Sequence, residues 1–411
     1  MDLAEAARHR AGEEQPPAQG ANFDHQPFDG FGCIPSGLQG RPLRNSETMK
    51  IHGQHHRSLE ADTARRTARI LDQTMLPHEV VWRELATLED AAEAIQAMRV
   101  RGAPLIGATA AFGLCFGLRA EASDAGLEQG YRVLHATRPT AVNLRWALDR
   151  VRHVVQPLPA SQRAEAAWEE ALAISEEDVR TNHAIGRHGL AVLRTIQARK
   201  AEPTAPLNVM THCNAGWLAA VDWGMALAPI YLAHDAGMKV HVWVSETRPR
   251  GQGASLTAFE LAQHGVPHTL IVDNNAGHLI QRGLVDLVIT GADRVTAQGD
   301  VANKIGTYLK ALAARAHQVP FYVAMPVSTL DWTLTDGIRD IPIEQRSARE
   351  VTHVVGLNAK GQREEVLITP TSTSARNDGF DVTPAALVTG LITEHGVCDA
   401  NAQALAKLKN A

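Results

Sequence analysis

Ile289-Thr290-Gly291-Ala292-Asp293-Arg294, followed by Gly299-Asp300-Val301-Ala302-Asn303-Lys304-Ile305-Gly306-Thr307, turns an apolar run into a carboxylate, an amide and a lysine where a strand should hand over to a helix. In open α/β sheets ligands bind at that handover, outside the carboxyl ends of the strands. A second break of the same kind, Val209-Met210-Thr211-His212-Cys213-Asn214-Ala215-Gly216, puts a thiol in the same setting. Cys213 and Asp293 are therefore paired candidates for proton transfer, and the reading is an enzyme acting on a small anionic substrate.

Around these two breaks, short β-branched apolar runs recur at 207–210, 240–244, 269–272, 285–289, 321–324 and 366–368, with helix-like segments such as 255–264 and 303–317 between most of them. Strands apolar on both faces that alternate with helices predict α/β architecture, a parallel sheet covered on both sides. Cys213, Glu246, Asp273, Asp293 and Ser328 each follow a strand, which lines up five polar segments along one sheet edge.

Before residue 200 the text changes. The apolar stretch 104–118 falls between Arg101 and Arg119 and is too short to span a bilayer, so it reads as a buried helix. Residues 161–196 place Trp168, Ala171, Leu172 and Val179 on one helical face, and strand-like text is confined to 67–70 and 80–82. Ala201-Glu202-Pro203-Thr204-Ala205-Pro206 separates this mainly helical N-terminal domain, 49–200, from the sheet domain, 201–411. Residues 1–48, rich in Gln, Gly and Pro, predict a disordered or loosely attached extension, with Met49 standing directly before the first strand-like text.

Composition narrows the function. A net charge of -5 offers no basic field for nucleic acid, and 45% hydrophobic with 21% charged residues is ordinary for a soluble globular protein, not a membrane one. The four cysteines, Cys33, Cys115, Cys213 and Cys398, form no CxxC pair, which fits a reducing cytoplasm. No GxGxxG or GxxxxGK[ST] supports a nucleotide cofactor. His52, His55 and His56 lack a carboxylate at ligand spacing, so no metal is expected, and His212 and His278 read as hydrogen-bonded neighbours of the site.

Other segments offer anion contacts. In Arg101-Gly102-Ala103-Pro104, proline suits the first helical turn, and the free amides of Gly102 and Ala103 can meet a phosphate beside Arg101. Lys304, read as lying in the first turn of a helix, opposes the helix dipole unless it shares a bound anion with the amides. A helix predicted over 216–236 would favour the Cys213 thiolate. Trp217 is a candidate apolar wall for the substrate. Glu246-Thr247-Arg248-Pro249 and Gln252-Gly253-Ala254 offer groups for sugar hydroxyls.

Taken together these segments, with Arg138-Pro139-Thr140-Ala141-Val142-Asn143-Leu144, resemble the methylthioribose-1-phosphate isomerases, members of a wider family that includes the regulatory subunits of translation initiation factor 2B. The likeness implies a Rossmann-like second domain and a homodimer. It also implies catalytic roles for Cys213 and Asp293, and substrate-binding roles for Arg101, Gly102, Ala103, Arg138, Gln252, Asn303 and Lys304. Departures include Ser245 for an aspartate, Asn275 for a methionine, Trp217 and Trp223 for smaller residues, and Asn377-Asp378-Gly379-Phe380-Asp381 late in the chain. The implied activity is aldose–ketose isomerisation of a sugar phosphate. A related phosphopentose substrate, or a non-catalytic sensor subunit, are the alternatives.

Overall fold

Strands that are apolar on both faces need a layer of helices on each side, and the chain builds such a sheet in its second half. The computed structural model describes residues 50–410, so the expectations for residues 1–48 and for Met49 fall outside the described residues.

After a short hairpin of Lys50–Ile51 with Gln54–His55, the first half forms an antiparallel sheet, β1 (Leu59–Asp62), β2 (Thr67–Leu71) and β3 (Trp82–Leu85). Five helices follow: α1 (Leu88–Gln96), α2 (Ala103–Ala120), α3 (Asp124–Thr137), α4 (Val142–Val155) and α5 (Ala160–Ala198). Thr87 and Asp90 start α1 with reciprocal side-chain to backbone bonds, a capping box. Helix α2 is long and apolar enough to cross a membrane, but it is buried against α1, α3, α4 and α5, as a helix apolar all round must be in a folded core. The long α5 also packs on the helix that follows the next strand.

The second half runs β4 (Leu207–Thr211), α6 (Ala228–Asp235), β5 (Val240–Ser245), α7 (Ala258–His264), β6 (His268–Ile271), α8 (Asn275–Gln281), β7 (Leu287–Thr290), β8 (Arg294–Thr296), β9 (Val301–Lys304), α9 (Thr307–Ala316) and β10 (Phe321–Ala324). It continues with β11 (His353–Leu357), β12 (Arg363–Leu367), β13 (Phe380–Thr383), β14 (Gly390–Thr393) and β15 (Gly396–Cys398). The main sheet has the order β15-β14-β10-β7-β4-β5-β6, parallel except for β15. Every residue of β7 and β10 is buried. From β4 the chain steps outward through β5 to β6, then returns to add β7 on the other side of β4. The strand order thus reverses between β4 and β7, and such a reversal opens a crevice at the carboxyl edge. A smaller sheet, Leu330–Asp331 with β8, β9 and β13, lies beyond that edge in the chain path from β7.

Three expectations are corrected. The run 366–368 is not a strand of the parallel sheet: β12 pairs with β11 in an exposed antiparallel hairpin, where Arg363, Glu364 and Glu365 can stay in water. The sixth parallel strand is the short β14, whose only large apolar residues are Leu391 and Ile392. The helix expected over 303–317 begins at Thr307, because Asn303 and Lys304 pair with Asp381 and Phe380 in β9 and Gly306 turns the chain at φ 98°. The helix expected over 216–236 is only α6, preceded by a single 3-10 turn at Trp217–Ala219; Gly216 bridges to Gly224, and the Ala215 carbonyl accepts from Met225 and Ala226.

Candidate active site

The loops after β4 and β7 meet at the strand-order reversal. A Cβ on Gly291 would stand 2.7 Å from the Ala215 Cβ, so this glycine lets the two loops touch. Cys213 adopts φ 64°, a left-handed conformation that costs a side-chain-bearing residue about 1–2 kcal/mol. Its neighbours hold it there. The Cys213 amide donates to Thr247 Oγ1 at 2.8 Å, and its carbonyl accepts from Thr257 Oγ1 at 2.7 Å. The thiol does not stand at the start of the helix expected over 216–236, because α6 begins only at Ala228. Asp293 is anchored by its amide, which donates to the Ala302 carbonyl at 2.9 Å.

Both side chains line one cavity, together with Arg101, Gly102, Ala103, Arg138, Gln252 and Lys304. Arg101 donates to Asn214 Oδ1 at 2.6 Å and to the Asn214 carbonyl at 2.8 Å, and its second terminal nitrogen lies 4.0 Å from Cys213 Sγ. Arg138, at the end of α3, pairs with Glu344 at 3.0 Å, while its buried Nε has no protein partner. Gln252 Oε1 is also buried without one. Lys304 donates to the Gly379 carbonyl at 2.9 Å and stands 4.7 Å over the Phe380 ring. Asn303 is different. Ala302 and Lys304 face the cavity, and strand alternation turns Asn303 to the other side, where its amide donates to Thr307 Oγ1 at 3.0 Å.

Burial sets the electrostatics. Loss of water raises the Asp293 carboxyl above the ordinary range, with the charges of Lys304, Arg101 and Arg138 pulling it back down and that of Glu344 adding to the rise. Lys304 is lowered by its own burial and held up by Cys213 and Asp293, so the ammonium feels both members of the pair. Carboxyls with raised pKa in a cationic cavity can donate protons near neutral pH.

The apolar side of the cavity comes from Met98, Ile106, Ile341, Pro342 and Phe380. Trp217 does not contribute: it is 1% exposed in the core, and its amide donates to Glu260. Glu246 and Arg248 line an adjoining groove that shares Met98, Arg101 and Gln252 with the cavity. His212 is buried just behind Cys213, its Nε2 bonded to the Ile305 carbonyl at 2.8 Å, and burial with the nearby Lys310 charge pushes it down to about 3. His278 lies exposed on α8. Among the described residues no cluster of His, Cys, Asp or Glu is arranged to hold a metal ion. Asp273, one of the polar residues expected along the sheet edge, accepts from the Thr247 and Arg248 amides at 2.8 and 2.7 Å, whereas sequence reasoning passed over Glu260, which fastens the loop after Cys213. An acid inside an otherwise apolar helix pattern was the available signal for Glu260.

Residues 99–400 match the sequence model of the Initiation factor 2 subunit family. The methylthioribose-1-phosphate isomerase of Paramagnetospirillum magneticum is 58% identical over 357 residues, covering 87% of this chain and 98% of that protein. Among solved structures, 5-methylthioribose 1-phosphate isomerase from Pyrococcus horikoshii is similar with a TM-score of 0.76 at 38% identity, over 90% of this chain and 99% of that one. The delta subunit of translation initiation factor eIF-2B from A. fulgidus gives 0.68 at 37%, over 83% and 95%.

Proposed function

The chain belongs to the methylthioribose-1-phosphate isomerases of the initiation factor 2 subunit family, and on that premise we propose that Cys213 and Asp293 are the reacting pair with which it converts 5-methylthioribose 1-phosphate to 5-methylthioribulose 1-phosphate. The observation that carries the reading is one cavity at the strand-order reversal, lined by both residues and by Arg101, Arg138 and Lys304.

An aldose with phosphate on its anomeric oxygen cannot open as a free hemiacetal does. The C1 to ring-oxygen bond must break while the phosphate stays on. Asp293, its carboxyl raised by burial, donates a proton to the departing ring oxygen, which becomes the C4 hydroxyl. Cys213 takes the C2 proton, leaving a C1–C2 enol that keeps the phosphate. As the C2 hydroxyl returns its proton to Asp293, Cys213 delivers one to C1, and the C2 ketone results. Each group ends as it began. Arg101, Arg138 and Lys304, with the Gly102 and Ala103 amides, hold the phosphate and offset its negative charge. A hydride passing directly from C2 to C1 would use the same residues, and loss of C2 deuterium to solvent would rule it out.

The apolar wall of Met98, Ile106, Ile341, Pro342 and Phe380 suits a methylthio group better than the second phosphate of a bisphosphate. A mainly helical domain over 49–200, a Rossmann-like domain over 201–411, a homodimer and a cytoplasmic setting belong to the same reading. The strand order third-second-first-fourth-fifth-sixth supports the second of these. The deciding experiment follows the anomeric carbon of methylthioribose 1-phosphate by NMR: conversion is expected with the wild type and lost in Cys213→Ser and Asp293→Asn with the fold intact. Unchanged substrate with the wild type refutes the proposal.

A further inference from the structure

Glu260, on α7, is 0% exposed and takes no part in the chemistry above. Its Oε1 accepts from Asn214 Nδ2 at 2.7 Å and from the Leu218 amide at 3.0 Å; its Oε2 accepts from the Trp217 amide at 2.9 Å and from the Tyr231 hydroxyl at 2.7 Å. The loop wraps directly on the carboxylate, since a Cβ on Gly216 would fall 1.8 Å from Oε2. A buried carboxylate is a costly way to fill a core unless its charge is needed.

Burial pushes the Glu260 carboxyl up to about 7, and the four donors around it pull back toward the ionised form; in that form it only accepts hydrogen bonds, whereas an amide side chain has one donating end and one accepting end. Glu260 can therefore be met only by the NH2 of Asn214. That fixes the amide so that Oδ1 faces Arg101, which donates to it at 2.6 Å and to the Asn214 carbonyl at 2.8 Å. Thr257 Oγ1, whose proton is committed to the Cys213 carbonyl, accepts the other Asn214 hydrogen at 3.2 Å and leaves no room for a flipped amide.

We propose that Glu260 is a positioning residue for the isomerase: acting through Asn214, it orients the Arg101 guanidinium toward the sugar phosphate and beside the Cys213 sulfur. The proposal rests on Arg101 binding the phosphate. Steady-state kinetics with the substrate, and competition by inorganic phosphate, test both levels in the full-length protein. Asn214→Ala leaves Glu260 its three other donors, so melting should stay near wild type, while KM and the phosphate inhibition constant rise together by about tenfold to a hundredfold. Glu260→Gln, which faces one of the four donors with an NH2, should produce the same shift; if it does not fold, Asn214→Ala still decides. The double variant Arg101→Ala/Asn214→Ala should be no worse than Arg101→Ala alone, because the amide acts only through the guanidinium. Additive losses, or Asn214→Ala at wild-type values beside an impaired Arg101→Ala, overturn the positioning role. Unchanged KM and phosphate inhibition in Arg101→Ala overturn the phosphate assignment beneath it, and the positioning role with it.

Discussion

Gly102→Ala tests the joint between the helical layer and the reacting loops. Gly102 caps the start of α2 at φ 97° and ψ 136°, close to a region that costs other residues about 1–3 kcal/mol. A Cβ there would lie 2.4 Å from the Ala219 carbonyl oxygen, 2.5 Å from its Cα and 2.6 Å from its Cβ. Ordinary carbon contacts are about 3.5–4 Å, so the first turn of α2 and the Trp217–Ala219 turn must part by roughly 1 Å. Overpacking of this kind costs about 1–3 kcal/mol. Strain and clash together come to about 2–6 kcal/mol, a fraction large enough to move the urea midpoint visibly. The same displacement carries Arg101 and the Gly102 and Ala103 amides away from Cys213, and a shift of about 1 Å in a positioned group can lower turnover about a hundredfold. Urea unfolding followed by circular dichroism, with kcat/KM on the same sample, measures both. An unchanged midpoint with unchanged kcat/KM would refute the close-approach argument.

Lys304→Met removes a cation that burial already strains. On the proposed role of Lys304, losing its charged hydrogen bond to the phosphate should cost about 1.5–3 kcal/mol of binding and raise KM tenfold or more, while the melting temperature holds or rises. His212 supplies a pH signature. Its folded pKa of about 3 lies below the ordinary 6.5, so the unfolded chain binds the extra proton across that window, and stability is lost as pH falls through it at about 1.4 kcal/mol per unit. A His212→Gln variant should show a flatter acid limb than the wild type in melts between pH 6.5 and 5, and parallel limbs would contradict a buried neutral imidazole.

Much of this architecture could be read from the chain because the parallel strands are buried on both faces. Phe321–Ala324 was bounded to the residue, and Leu207–Thr211 and Val240–Ser245 to within one at the end. The polar breaks after β4 and β7 stood out for the same reason: a carboxylate or thiol following such a run has no reason in packing. What could not be read was tertiary. Lys304 belongs to a strand only because Phe380, far along the chain, pairs with it, and local propensity has no record of that partner. Asn303 faces away from the cavity by the same register. The stretch after Cys213 has helical composition, yet a buried Glu260 collects its amides into a non-helical loop. Gly390–Thr393 is a core strand too short to show a period, whereas 366–368 looks like one and lies in a solvent-facing hairpin.

The candidate site is divided between two layers: Arg101 stands just before α2 and Arg138 just after α3 in the first half, while Cys213 and Asp293 come from loops of the sheet. Turnover is therefore a gauge of how tightly those layers are docked. On warming, the seam between α2 and the Trp217–Ala219 turn can loosen while every helix and strand is still wound. Activity should then fade at temperatures where far-ultraviolet dichroism is still that of the native protein.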